Sequence, residues 1–81
     1  MDKTYQTTTM PLAAWLIYCG VPLINIYKDK HLNKKIFEFE RVDNLDQLLE
    51  SYWKNEARVA PESFWHILKS LKSRIYDIEN G

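Results

Sequence analysis

The sequence predicts an α+β fold: a short antiparallel sheet of two or three strands with a central hairpin, packed against three helices in the order β-α-β-β-α-α. Three observations predict it. Residues 23–28 and 35–40 are rich in β-branched and aromatic side chains and flank a polar run, the pattern of a hairpin. Three other stretches repeat apolar residues at steps of three and four, the period of a helix with one buried face. Proline and glycine stand at the ends of those stretches, where helices start and stop.

Residues 1–8 alternate weakly around Tyr5 and read as a short edge strand or, alternatively, a frayed tail, with the strand favoured. Thr9 suits an N-cap, and Pro11 falls in a first helical turn, where its missing donor costs little. Leu12, Trp15, Leu16 and Cys19 then share one side of a helix of about ten residues. Gly20 follows as a left-handed C-cap, and Pro22 prevents resumption. In the hairpin, Ile24 and Ile26 are expected on one face of the first strand and Asn25 and Tyr27 on the other. In the second strand Phe37 and Phe39 share a face, and Ile36, Glu38 and Glu40 take the opposite one.

Asp43 or Asn44 can cap a second helix carrying Leu45, Leu48, Leu49, Tyr52 and Trp53 at helical spacing. Residues 55–60 break that pattern. Pro61 then opens a last helix, with Glu62 in the first turn and a long stripe of Phe64, Ile67, Leu68, Leu71, Ile75 and Ile78. The apolar hairpin face is expected to pack against this helix, with Phe64, Leu68 and Leu71 among the most buried residues.

The chain has 81 residues, enough for one small domain spanning 1–81. A hydrophobic fraction of 46% makes a compact core feasible without disulfides. Cys19 is the sole cysteine, so an oxidising compartment offers this fold no intrachain bridge. The polar N-terminus does not resemble a signal peptide, and the longest apolar segment is about half a membrane span. A soluble, cytoplasmic protein without membrane contact is therefore expected.

Eleven basic and eleven acidic residues cancel, which weakens the case for bulk nucleic-acid affinity. The charges are nevertheless segregated. Residues 28–35 hold four lysines and one aspartate, a net +3, and residues 36–56 hold six acidic and two basic side chains, a net −4. Opposed blocks of this kind suit association with another charged surface or another copy of the chain.

No residue pattern points to catalysis, a metal or a cofactor. His31 falls in the hairpin loop and His66 on the polar side of the last helix, so no set of soft ligands converges. Cys19 sits near a helix C-terminus, where a thiolate is disfavoured. Asp43, Asp46 and Glu50 lie on or near one side of one helix, which a solvated acidic face explains without an acid–base pair. Gly20 and Gly81 are the only glycines, so a phosphate-cradling loop is excluded.

Two surface features remain. Lys28, Lys30, Lys34 and Lys35 cluster at the hairpin, between Tyr27 and Phe37. They read either as a solubility device or as a weak, salt-sensitive nucleic-acid contact. Trp65, Lys72 and Tyr76 fall roughly 80–120° from the centre of the last helix's stripe, and Trp53 is placed similarly on the second helix. Either the neighbouring elements wrap wide enough to bury these rings, or they form a protein-binding surface. A homodimer centred on Trp65 is one expectation from this placement.

Taken in order, several segments carry a resemblance that covers nearly the whole chain. They are Tyr5-Gln6-Thr7, Leu12-Ala13-Ala14-Trp15-Leu16 with Gly20, and Ile36-Phe37-Glu38-Phe39, then Leu49-Glu50-Ser51-Tyr52, Val59-Ala60-Pro61-Glu62-Ser63-Phe64 and Leu71-Lys72-Ser73. The chain resembles a family of short bacterial, phage and mobile-element domains of unknown function. It departs from that pattern at Thr9-Met10-Pro11, where members often place an acidic residue. The resemblance implies a cytoplasmic setting and assigns no catalytic residue. The expected function is that of a small non-catalytic protein-interaction or self-association module. A nucleic-acid accessory role for the lysine-rich hairpin is the alternative.

Overall fold

The computed structural model describes residues 3–31 and 33–80; the predicted strand residues Met1 and Asp2 and the loop residue Leu32 lie outside them. The elements are β1 (Thr4–Thr7), α1 (Met10–Tyr18), β2 (Leu23–Asp29), β3 (Lys34–Glu40), α2 (Leu45–Trp53) and α3 (Pro61–Asn80). Their order is the expected β-α-β-β-α-α. The three strands form one antiparallel sheet in the order β1-β3-β2. The predicted N-terminal strand therefore pairs with the second hairpin strand and leaves β1 and β2 as edges.

Register decides which side chains reach the core. Tyr5 and Leu23 both face Phe39, and Thr7 and Ile26 both face Phe37. Leu23 and Ile26 are three residues apart, whereas Phe39 and Phe37 are two apart. One extra residue must be absorbed, and the ladder slips between Leu23 and Asn25 to do so. The bulge corrects the simple alternation expected for this strand. Ile26 is buried, but Ile24 does not share its face and is 53% exposed.

The other sheet face is mostly polar. Tyr27 lies across β3, where its hydroxyl oxygen accepts a 2.9 Å bond from the Gln6 amide on β1. Beneath this crossing, Ile36 is buried although it lies on the face away from the core.

Helix α1 contains no charged side chain, and five consecutive residues, Leu12 to Leu16, are buried. At about 100° per residue, five in a row point in every direction, so the middle of α1 is enclosed on all sides. Ala13 and Ala14 have no exposed surface and let neighbouring elements approach closely. Trp15 is buried with its indole N–H satisfied, donating to the Leu48 carbonyl of α2 at 3.0 Å. Its ring stacks with Tyr18, whose hydroxyl accepts the Ala60 N–H ahead of α3 at 3.0 Å.

Both short helices end by the same device. After α1, Val21 N–H bonds Leu16 C=O and Gly20 N–H bonds Ile17 C=O, with Gly20 at φ +89°. After α2, Glu56 N–H bonds Ser51 C=O and Asn55 N–H bonds Tyr52 C=O, with Asn55 at φ +60°. Each is a Schellman closure, and glycine and asparagine are the residues that best tolerate its left-handed position. At the N-termini, neither Thr9 nor Asn44 makes a side-chain cap bond. Thr9 instead uses its C=O to accept the Ala13 N–H.

The core joins Phe37, Phe39, Leu12, Leu16, Leu45 and Leu71 as its largest fully buried side chains. Of the α3 stripe only Leu71 reaches that state. Phe64 and Leu68 are half-buried, which corrects the expectation that they would rank with it. The reason is that α1 occupies the centre, so α3 packs on it from outside and keeps much of its own surface wet.

Candidate functional site

Helix α3 presents two flanks, roughly 100° to either side of its core stripe. On the first stand Trp65, Lys72 and Tyr76, spaced to share one side across three turns. Trp65 is 53% exposed and Tyr76 66% exposed. The Lys72 ammonium lies 5.7 Å from the Trp65 ring centroid, within cation–π range. The sheet and helices therefore do not wrap far enough to bury these rings. Trp53 is also 66% exposed, on α2, where its ring stands edge-on to Tyr52 at 5.0 Å.

The second flank borders β2. Ile24, Asn25 and Ile26 form one wall of a shallow cleft, and Arg74, Asp77 and Ile78 form the other. Ile78 was expected in the core stripe, yet it is 40% exposed here. Sequence reasoning missed this cleft because it depends on the bulge that pushes Ile24 outward. No local signal marks it, because the spacing mismatch between Leu23/Ile26 and Phe37/Phe39 arises only from the ladder register.

The hairpin lysines do not share one face. Lys28 pairs with Lys35 across the ladder, and Asp29 with Lys34 one step on, so the two pairs project from opposite sides of the sheet. Lys35 is mostly buried against the end of α3, where its ammonium meets Glu79 at 2.8 Å. That hydrogen bond and charge hold the Glu79 carboxyl below its usual range, with a smaller contribution from Lys28. Lys30 is exposed in the loop. The loop itself is shaped by Asp29, whose carboxylate accepts the His31 N–H at 2.8 Å, and by Asn33 at φ +54°.

The remaining titratable groups show no convergence. Among the described residues no group of three or more His, Cys, Asp or Glu side chains could hold a metal ion. His66 faces Glu62 at 3.8 Å across one turn of α3, Arg41 reaches Asp46 at 4.0 Å, and Glu50 pairs with Lys54. Partial burial pushes the Cys19 thiol up, away from the thiolate a nucleophile needs. No helix among the described residues is long and apolar enough to cross a membrane.

The family model described as Domain of unknown function (DUF5659) matches residues 2–77, and the chain belongs to that family. No curated protein and no solved structure matches the chain.

Proposed function

We propose that this DUF5659 domain is a non-catalytic, cytoplasmic interaction module that engages a partner protein through the Trp65, Lys72 and Tyr76 flank of α3. One observation carries the reading: two large rings on one helix flank are more than half exposed, and an ammonium is docked over one of them. Leaving such rings in water forgoes the burial that would otherwise stabilise the fold. Rigid aromatic side chains with a basic neighbour are what protein interfaces bury at their centres. A small module of this kind fits the bacterial, phage or mobile-element setting that the family resemblance implies.

The test compares cross-linked partners from source cells for the wild type, Trp65→Ala and Tyr76→Ala. The expected result is a partner captured by the wild type and lost by both variants, with unchanged far-UV circular dichroism. A partner set indifferent to Trp65→Ala would overturn the assignment of this face. The nucleic-acid reading has less support, because Lys35 is neutralised by Glu79 and the four lysines diverge. Titrating labelled DNA and RNA at low and high salt tests it, and no salt-dependent binding at micromolar protein removes it.

A further inference from the structure

We infer that the cleft between β2 and α3 is a self-association surface, and that its occupant is the same cleft of a second copy related by a two-fold axis. The cleft has the composition of an interface. Ile24 and Ile78 supply exposed apolar surface, and Arg74 and Asp77 flank it. Neither Arg74 nor Asp77 has an ion-pair partner among the described residues.

The arrangement of charge selects the occupant. Arg74 and Asp77 carry opposite signs and stand three residues apart on one face of α3. A two-fold axis beside this turn runs the two α3 helices antiparallel. It sets Arg74 of each copy against Asp77 of the other and covers the exposed Ile24 and Ile78 that line the cleft beside those pairs. A patch of one sign would meet itself with repulsion under the same operation; this one meets its complement.

The edge strand restricts how the copies meet. The Asn25 side chain accepts the Ile26 N–H at 2.9 Å, and the bulge distorts the ladder beside it. Pairing of two β2 edges into a continuous sheet is therefore blocked at this point, and the contact is made by side chains. The cleft lies on the flank of α3 away from Trp65, so this inference does not depend on the partner-binding face proposed above. Both faces can be occupied at once.

Sedimentation equilibrium over about 10 μM to 1 mM, at low and high salt, tests the inference. The expected result is a concentration-dependent dimer that weakens with salt. Arg74→Asp and Asp77→Arg, each alone, are expected to weaken it about tenfold or more, because each places two like-charged pairs in the contact. The double exchange Arg74→Asp/Asp77→Arg restores the pairs and is expected to recover dimerisation, while Trp65→Ala leaves it unchanged. Thermal melts confirm that the exposed-site variants fold, and Ile24→Lys provides a further probe of the same face. A monomer at every concentration overturns the inference. So does a dimer that ignores the single reversals, a double exchange as weak as the singles, or a dimer lost only with Trp65→Ala.

Discussion

Helices α1 and α3 are both rich in apolar residues, yet they are buried in inverse relation to their length. The nine residues of α1 include five buried side chains, whereas among the described side chains of the twenty-residue α3 only Leu71 is buried. Helix α3 has the cleaner amphipathic stripe, and a stripe is the mark of a helix that touches the core along one side. Helix α1 is apolar around its circumference, which is the mark of a helix enclosed by other elements. Periodicity therefore identifies helices efficiently, but the absence of polar residues is the better guide to which helix lies at the centre. The same contrast separates roles: the enclosed helix organises the fold, and the peripheral one carries the exposed flanks.

The largest expected effect comes from removing volume at the enclosed helix. Leu16→Ala, at a position with no exposed surface, is expected to cost about 2–5 kcal/mol through lost transfer energy and a residual cavity. Leu68→Ala on α3 removes the same atoms from a half-buried site and is expected to cost about 1–2 kcal/mol, within the usual range for single substitutions. Urea denaturation of both variants measures the difference. Equal losses would break the comparison and return α3 to the centre of the core.

Adding volume probes the same contrast from the other side. Ala13→Leu has no free surface to occupy and is expected to destabilise by about 1–3 kcal/mol through overpacking. An Ala13→Leu protein as stable as the wild type would show that α1 has room beside it.

The smallest effect concerns the link between the two ends of the fold, Lys35 to Glu79. The folded-state pKa of Glu79 is lowered by Lys35, so its stabilisation is present above the unfolded carboxyl pKa, about 4.3, and fades as pH falls through the folded value. The melting temperature of Glu79→Gln is expected to lie slightly below the wild type at neutral pH and to converge with it in acid. Added salt should shrink the gap, since Glu79 is exposed. A gap that widens in acid would mean that the carboxylate does not stabilise the fold through Lys35.

Much of this architecture is legible in local sequence because the relevant forces are local. Gly20 marks the end of α1 because the left-handed closing position disfavours a side chain, and the break after Trp53 marks the end of α2 for a related reason at Asn55. Phe37 and Phe39 announce their shared face by alternation. The shared flank of Trp65, Lys72 and Tyr76 follows from helical geometry once the stripe of α3 is recognised, but the exposure of its rings depends on how far the other elements wrap. Trp53 could be assigned to a helix shoulder, but not to a position relative to those three.

The sequence by itself determined the type and order of the elements, the phenylalanine face of β3 and the shared flank of Trp65, Lys72 and Tyr76 on α3. Each depends on the chain's own periodicity or on a single backbone conformation. Only the tertiary structure decided that β3 lies between β1 and β2, that α1 is enclosed, and that Phe64 and Leu68 yield the centre to it. It also decided that Ile24 leaves the core face to form a cleft with Arg74, Asp77 and Ile78. These outcomes depend on pairing and packing between segments far apart in sequence. A strand's bulge is set by the spacing of the residues it must match on its partner, and a helix's burial is set by what packs around it.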